Sequence, residues 1–332
     1  MRKLLRPIAG FYGGMTSFRN YLYDIGLKSV IEPDIPVISV GNITAGGTGK
    51  TPFTIALANQ LVKKDFKPAI ITRGYKRKSR GQLIVSEGQG PMTSAIASGD
   101  EPFVMAHKTR GVVIIADKNR VHAAKTARQK YNCDIIIADD AFQHRNLHRD
   151  VNIVLWDSYT APEKEALLPK GRLRESFTGL NRADLIVLTR TENPNPNYIR
   201  FFNHFRLKCY VSSTKVTGIK NDEQDYDPEL LNGRKLLAFC GLGNPQQFFD
   251  TVETLQPSEL VTRKFSDHHR YSVKEIDELI TVAKGHCCDF MVTTEKDKAN
   301  IPEDYMSLKN LLFLSIDFQI GEDLLQEILK GI

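Results

Sequence analysis

The chain has 332 residues and a formal net charge of +6, with 41% hydrophobic and 25% charged residues. That length supports a large buried core and two domains, and the composition is that of an ordinary soluble globular protein. No apolar run approaches the ~18 residues that read as a membrane span, no signal-peptide pattern opens the chain, and the modest positive charge suits anions without implying nucleic acid. The five cysteines (Cys133, Cys209, Cys240, Cys287, Cys288) show no CxxC spacing and no metal-like grouping, the pattern of buried thiols in a reducing compartment.

In the first thirty residues, Leu4, Ile8, Phe11, Met15, Phe18, Leu22 and Ile25 alternate spacings of four and three, which puts them on one helical face. Arg2, Lys3, Arg6, Arg19 and Lys28 lie among them. A basic amphipathic helix can lie in the headgroup plane of an anionic membrane; it can also pack its apolar face on the protein's own core. Gly10, Gly13 and Gly14 weaken it, each by roughly 1 kcal/mol relative to alanine.

Val37 to Val40 then reads as a strand, followed by a glycine-rich loop and a helix from about Thr51 to Lys64. Strand, loop ending Gly49-Lys50-Thr51, and helix is the order a phosphate-binding loop requires. Its N–H groups and those of the helix start form a concave donor site for phosphate oxygens. Lys50 would reach the β- and γ-phosphates, and the Thr51 hydroxyl would ligate Mg²⁺. Thr44 stands where the general pattern has its first glycine, so the loop reads Thr-Ala-Gly-Gly-Thr-Gly-Lys-Thr.

Beyond it, strands are expected at 67–72, 112–116, 134–138, 151–156 and 185–189, with a helix at 118–131. Continuous apolar strands separated by helices argue an α/β fold with a mostly parallel sheet. Between about Thr191 and Arg234 the composition shifts to Asn, Pro, Asp and Glu, interrupted by a strand-like 209–212, and marks the best domain junction. Strands at 236–240, 290–294 and 311–314, with helices at 245–255, 273–284 and 324–329, make a second, smaller α/β unit. The turn at Gly241 and Gly243 lacks the third glycine of a dinucleotide fingerprint, so no second nucleotide site is expected.

Asp139 and Asp140 end an apolar strand, where open α/β sheets bind ligands and where a phosphate loop needs an acid for Mg²⁺. Gln143 and its neighbours would face the same cleft. Asp100 opens a helix at Gly-Asp-Glu-Pro and is either an N-cap or a base for an attacking hydroxyl. The stretch 73–80 carries five positive charges and is either a solvated loop or a seat for an anionic substrate or lipid headgroups. Arg172 and Arg174 suit bidentate phosphate contacts. Residues 265–271 concentrate titratable groups, and a catalytic His–Asp pair there would have to reach across an interdomain cleft.

Taken in order, these motifs resemble the tetraacyldisaccharide 4'-kinases, which phosphorylate a lipid A disaccharide precursor. The resemblance covers nearly the whole chain. It is carried by residues 40–52, Thr-Arg-Gly-Tyr (72–75), Gly-Asp-Glu-Pro (99–102), Asp-Asp-Ala-Phe-Gln-His (139–144), Leu-Pro-Lys-Gly-Arg-Leu-Arg-Glu (168–175), Phe-Ser-Asp-His-His-Arg-Tyr (265–271) and Thr-Thr-Glu-Lys-Asp (293–297). Thr44 is normal in that family. The resemblance implies a P-loop NTPase-type kinase domain at 31–208 and a smaller C-terminal α/β domain at 209–332, whose last helix can pack back on the kinase domain. Residues 1–30 would be a membrane-surface helix. ATP phosphates would be held by Thr44, Ala45, Gly46, Gly47, Thr48, Gly49, Lys50 and Thr51, and Mg²⁺ by Thr51, Asp139 and Asp140. Asp100 would be the catalytic base, assisted by His268 on domain closure, and Tyr75, Arg120, Gln143, Arg174 and Glu175 would meet the acceptor. The implied partners are an acylated disaccharide lipid and the anionic cytoplasmic face of a Gram-negative-type inner membrane, with the enzyme a monomer. The rival readings are a regulatory P-loop NTPase switch and a soluble small-molecule kinase. A GTPase would show an Asn-Lys-x-Asp motif, but Leu188-Thr-Arg-Thr-Glu192 occupies the expected place.

Overall fold

The structure, a computed structural model, describes residues 5–221, 223–243, 245–266, 269–298 and 300–332. Two compact units divide the chain, Met1–Ser213 with Gln319–Ile332, and Thr214–Phe318. The first contains α1 (Arg6–Asp24), β1 (Val37–Gly41), α2 (Lys50–Lys63), β2 (Pro68–Thr72), β3 (Leu83–Glu87), α3 (Ala95–Ser98) and α4 (Asp100–Lys108). It continues with β4 (Val113–Ala116), α5 (Arg120–Tyr131), β5 (Ile135–Asp139), β6 (Val151–Asp157), β7 (Leu185–Thr189), α6 (Pro196–Asn203) and β8 (Lys208–Ser212).

These strands form one sheet in the order β3-β4-β2-β5-β1-β6-β7-β8. All neighbours are parallel except β3, which runs antiparallel to β4. β1, β2, β4, β5, β6 and β7 are buried along their whole length. Their near-continuous Val, Ile, Leu and Ala runs suit a parallel sheet covered on both faces. Ile115, Ile136 and Ala138, for example, pack in one cluster with Ala123, Ala124 and Ala127 of α5. From β1 the chain winds first towards β2, β4 and β3, then returns through β5 and builds outward on the other side through β6, β7 and β8. β1 is therefore the switch point, and the crevice outside its carboxyl end is where such sheets bind ligands.

The sequence placed residues 209–212 at the start of the second domain. In the structure β8 pairs parallel with β7, so the first unit runs on to Ser213. β3 was not foreseen either. It is an edge strand whose first two residues are only half buried, so its sequence lacks the signature of the central strands.

The second unit holds β9 (Thr214–Lys220), β10 (Asp225–Tyr226), β11 (Lys235–Cys240), α7 (Pro245–Glu253), β12 (Glu259–Lys264), α8 (Val273–Gly285), β13 (Phe290–Thr294), α9 (Glu295–Lys298) and β14 (Leu311–Phe318). Its sheet order is β10-β9-β14-β13-β11-β12. β9 and β12 are further strands the sequence did not show, because most of their residues are exposed or half buried. Asp297 explains the 293–297 motif structurally. Buried, it accepts hydrogen bonds from Gly241 N (2.9 Å), Tyr271 Oη (2.9 Å) and Thr294 Oγ1 (2.6 Å). Those bonds tie together the loops after β11 and β13. The last helix, α10 (Glu322–Leu329), belongs to the first unit.

α1 turns its small residues inward. Ala9 and Gly13 are its buried positions, and a side chain on Gly13 would meet Leu167 Cδ1 at 2.6 Å. Tyr12 Oη donates to Arg174 O (2.9 Å), and Asn20 Nδ2 to Glu175 Oε2 (3.0 Å). The apolar stripe points the other way, with Phe11 72% and Phe18 63% exposed and Ile8, Met15 and Ile25 also on the surface. Leu22 is half buried, and Leu4 lies outside the described residues. The helix does not pack its apolar face on the first unit's own core.

Two glycines should respond oppositely to alanine. At Gly41 an added Cβ would lie 2.6 Å from Phe142 Cβ and 2.8 Å from its backbone N. Gly41→Ala should therefore lower stability by about 1–3 kcal/mol. Gly10, inside α1, has nothing within 4 Å, so Gly10→Ala should raise it by about 0.5–1 kcal/mol. Urea denaturation checks both.

Candidate active site

The loop between β1 and α2 is shaped by local chemistry. Gly46 and Gly49 have φ of 112° and 81°, values L side chains resist. Gly49 caps α2 with no side-chain bond. Among the described residues the N–H groups of Gly46, Gly47, Thr48 and Gly49 donate to no backbone carbonyl, which leaves them for a ligand. The rest of the loop is held firmly. Ala45 N donates to Arg172 O (2.6 Å), Arg174 N to Ile43 O (2.7 Å), Asn42 Nδ2 to Thr48 Oγ1 (2.9 Å) and Thr189 Oγ1 to Thr48 O (3.2 Å). Thr44 itself bridges to Leu173. A residue with a side chain serves there because the chain is pinned rather than sharply turned.

Asp139 and Asp140 stand at the end of β5, directly beside β1. Asp139 is 2% exposed and accepts hydroxyl hydrogen bonds from Thr72 (3.1 Å) and Thr54 (3.4 Å). Burial, with the fields of Glu101 and Asp140, pushes its carboxyl up to about 7 against the pull of Lys50 and Arg120. Asp140, at φ 45°, behaves oppositely. Burial opposes its ionisation, but Lys50 and Arg174 outweigh it and hold the carboxyl below the usual range. Lys50 Nζ lies 3.6 Å from Asp140 Oδ1, and Arg174 Nη1 3.0 and 3.1 Å from its two oxygens. Adjacent carboxylates thus differ in proton affinity because one is sealed among hydroxyls and the other is paired with cations.

Gln143 and Arg174 join this group, since Gln143 Oε1 accepts from Arg174 Nη1 (3.4 Å). Gln143 Nε2 donates to Asn42 O (2.8 Å) and to Glu175 Oε1 (2.9 Å). Glu175 is buried, and its other oxygen accepts from Asn20 and from Arg182 (2.7 Å), so its bonds run within the protein. Arg120, also buried, donates to the carbonyls of Asp117 (2.6 Å) and Asp139 (3.2 Å). Burial lowers its guanidinium to about 10, countered by Asp139 and Asp140. It braces the strand ends from beneath.

Asp100 does not cap a helix through its side chain. The cap position of α4 is Gly99, at φ 91°, and Asp100 is the first helical residue, exposed in the first turn. A Cβ on Gly99 would lie 2.7 Å from Tyr75 O, so the missing side chain lets the backbone at Gly99 pass close to the Tyr75 carbonyl. Tyr75 is 68% exposed. His268 lies outside the described residues. Two participants escaped the sequence reading as individual roles. Glu101, next to Asp100, acts on Asp139 through its charge. His144, half buried near Arg120 and Arg149, has its ring pushed down to about 4 by burial and those cations, and so is neutral. Only its place in the 139–144 motif hinted at it.

The raised carboxyl of Asp139 carries a pH signature. Its folded value of about 7 exceeds the ordinary 3.8, so its contribution to stability is complete below the unfolded value and is lost as pH rises through about 7. In metal-free buffer, Asp139→Asn should melt higher than the wild type at pH 8, and the gain should shrink towards pH 5. A constant difference across that range in calorimetry would contradict the assignment.

Comparison with known proteins bears on the whole chain. A family model described as Tetraacyldisaccharide-1-P 4'-kinase matches residues 1–332. A tetraacyldisaccharide 4'-kinase of Halothermothrix orenii is 35% identical over 322 residues, spanning 91% of this chain and 83% of that protein. The one from Aquifex aeolicus is 38% identical over 275 residues, spanning 82% and 84%. The crystal structure of the "apo" form of LpxK from Aquifex aeolicus in complex with ATP superposes with a TM-score of 0.74 at 32% identity, covering 99% of both chains. The first unit's mostly parallel sheet is accordingly that of a P-loop kinase. Identity above 30% along most of the chain, joined to a common fold, means that the chain belongs to the tetraacyldisaccharide-1-P 4'-kinase family.

Proposed function

We infer that this chain transfers the γ-phosphoryl group of ATP to the 4'-hydroxyl of a tetraacyl-disaccharide 1-phosphate, a step of lipid A biosynthesis. The observation that supports this most is the junction of β1 and β5. There a pinned loop with free N–H groups, the Lys50 ammonium and two carboxylates of opposite proton affinity share one sheet edge. Phosphoryl transfer asks for this combination, since the protein's work is positioning and charge stabilisation rather than covalent chemistry.

In this reading residues 44–51 cradle the ATP phosphates, and Lys50 leaves Asp140 to meet the γ-phosphate. Arg174 keeps Asp140 ionised while it does so. Thr51, Asp139 and Asp140 fit Mg²⁺ in kind. Asp139 is a buried carboxyl whose raised proton affinity a cation would reverse. Among the described residues no group of three or more acidic, histidine or cysteine side chains is placed to hold a metal ion. Mg²⁺ does not need one, as it keeps waters and phosphate oxygens beside one or two carboxylates. When bound, the ion would neutralise charge on the phosphates. Asp100 would take the proton of the 4'-hydroxyl, Tyr75 would meet the acceptor, and His268 keeps the assisting role that the family resemblance gives it. Arg120 and Glu175 act as positioning residues beneath the acceptor site.

The exposed apolar stripe of α1 would enter the headgroup region of an anionic membrane, bringing the enzyme as a monomer to the cytoplasmic face of the inner membrane. No helix among the described residues is long and apolar enough to cross a membrane, so surface attachment by this face is the consistent arrangement.

ATP-dependent phosphorylation of the tetraacyl-disaccharide 1-phosphate in mixed micelles tests the reading directly; no transfer would overturn it. Asp100→Asn should cut kcat by about 10²–10⁴-fold with the KM for ATP changed less than about twofold, and undiminished turnover would remove Asp100 as the base. Phe11→Ser with Phe18→Ser should abolish flotation with anionic vesicles while leaving the melting temperature intact, and persistent flotation would reject the α1 assignment.

A further inference from the structure

Thr189, the last residue of β7, is wholly buried. β6 lies between β7 and β1, which sets the two strands roughly 10 Å apart along the sheet. The Thr189 hydroxyl nevertheless reaches the loop that follows β1. Its Oγ1 lies 3.2 Å from Thr48 O and 3.2 Å from Trp156 O, so one proton serves a loop carbonyl and a carbonyl of β6. The loop therefore leans across the end of β6. The frame around Thr189 is fixed on both sides. Thr189 is in register with Asp157, whose Oδ2 accepts from Arg190 Nη1 (2.9 Å), and both side chains of that ion pair are 10% exposed. Arg190 N donates to Ser212 O of β8 (2.6 Å), and Ser158 N to Thr189 O (3.3 Å).

Thr48 is 4% exposed, and its hydroxyl is held by Asn42 Nδ2 (2.9 Å). Its carbonyl needs a donor of its own, because a buried carbonyl without one is costly. Helix α2 does not provide it. The first helical bond runs from Phe53 N to Gly49 O (3.0 Å). One residue further back the ladder would need an N–H at Pro52, which has none. Among the described residues no backbone N–H donates to Thr48 O. Gly49 adds a freedom that something must hold in check. Its φ of 81° calls for glycine, but glycine takes either sign of φ at similar cost, so the local chain does not stop the Thr48–Gly49 peptide from turning over. In a planar trans peptide the N–H points opposite to the C=O. With Thr48 O drawn towards β7, the Gly49 N–H faces the other way, into the loop. With the peptide turned over, a carbonyl oxygen would face the phosphates instead.

We propose that Thr189 is a positioning residue for the nucleotide: its hydroxyl locks the Thr48–Gly49 peptide with the Gly49 N–H turned to the phosphates. The proposal rests on the reading of residues 44–51 as the cradle of the ATP phosphates. Thr189 itself touches no substrate. From the far side of β6 it supplies the donor that Pro52 withholds, and so keeps the loop's donor site formed before the nucleotide arrives. A preformed N–H needs no reorganisation on binding, whereas a peptide free to turn over would lose part of the binding energy to being set. Backbone N–H groups of such a loop cradle the α- and β-phosphates. ADP carries both, so the lock acts on ADP as it does on ATP and can be read without any transfer.

Titration calorimetry with ATP and with ADP, both in Mg²⁺ buffer, compares the wild type with three variants. Thr189→Val keeps the shape and loses the hydroxyl, and Thr189→Ala takes its place if that protein does not fold. Thr189→Ser keeps the hydroxyl. Leu185→Ala weakens the buried opposite end of β7, away from the loop. Thr189→Val should raise the Kd of both nucleotides about tenfold, the scale of one charge-assisted hydrogen bond. Thr189→Ser should stay within about threefold of the wild type, and Leu185→Ala should lower the melting temperature with both Kd values unchanged. Isotope labelling of threonine carbonyls and glycine nitrogens selects the three Thr-Gly peptides, 48–49, 178–179 and 217–218, in NMR spectra. ADP should move the Gly49 amide proton downfield in the wild type and in Thr189→Ser, but not in Thr189→Val. An unchanged Kd in Thr189→Val, an equal loss of affinity in Leu185→Ala, or a wild-type Gly49 amide that ADP leaves unmoved would overturn the lock and leave the kinase reading standing. A wild type that binds neither nucleotide would remove the phosphate cradle and the lock together.

Discussion

Asp139 is a carboxyl at the end of a central strand, 2% exposed, held by two threonine hydroxyls and flanked by Asp140 and Glu101. Without a cation beside it, charging it is costly, and its proton affinity rises accordingly. The surrounding architecture reflects that constraint. β1 and β5 must be neighbours so that the loop lysine and the acids share an edge, and Arg120 must be buried beneath them to brace the strand ends. Asp140 must carry the compensating pairs, because a second sealed acid would leave the site without an ionised carboxylate. The unfavourable burial is tolerated where a multivalent ligand reverses it, which is why such groups gather at functional sites.

The segment 172–175 ties this site to the rest of the first unit. Its backbone pairs with the phosphate loop through Arg172 and Arg174, while the Arg174 side chain holds Asp140. Its Glu175 carboxylate receives Asn20 from α1 as well as Gln143 from the strand-end loop. The amphipathic helix is thus fastened by polar contacts and small residues to the element that positions the acid. That arrangement lets the helix keep its apolar stripe outside. A helix that docked by its apolar face would have spent that face on the core, leaving nothing for a lipid surface.

Much of the site was legible along the chain. Strand, glycine loop, lysine and helix form one short-range pattern, and paired acids at the end of an apolar run need no distant partner to be recognised. Asp100 shows the limit of such reading. Local sequence offered a cap or a base, and only the structure shows that Gly99 holds the cap position and that the Asp100 side chain caps nothing. β3, β9 and β12 were missed for a related reason, since strands exposed on one side lack the continuous apolar run that betrays buried ones. For the basic stretch 73–80 local sequence offered solvent or anion, and the fold adds what no local pattern shows, that Arg77 is docked on two backbone carbonyls.

The sequence by itself determined the phosphate loop, the acids at the strand end, the α/β alternation and the period of the first helix, because each depends on residues within a turn or a strand of one another. Tertiary structure alone decided that Arg174 neutralises Asp140 across 34 residues, that Glu101 bears on Asp139, and which face of α1 meets water. It also brought the end of β7 against the phosphate loop. Proton affinity, burial and the sum of charges at a point are fields of whatever the fold brings near, and strand order fixes those neighbours without leaving a trace in local propensity.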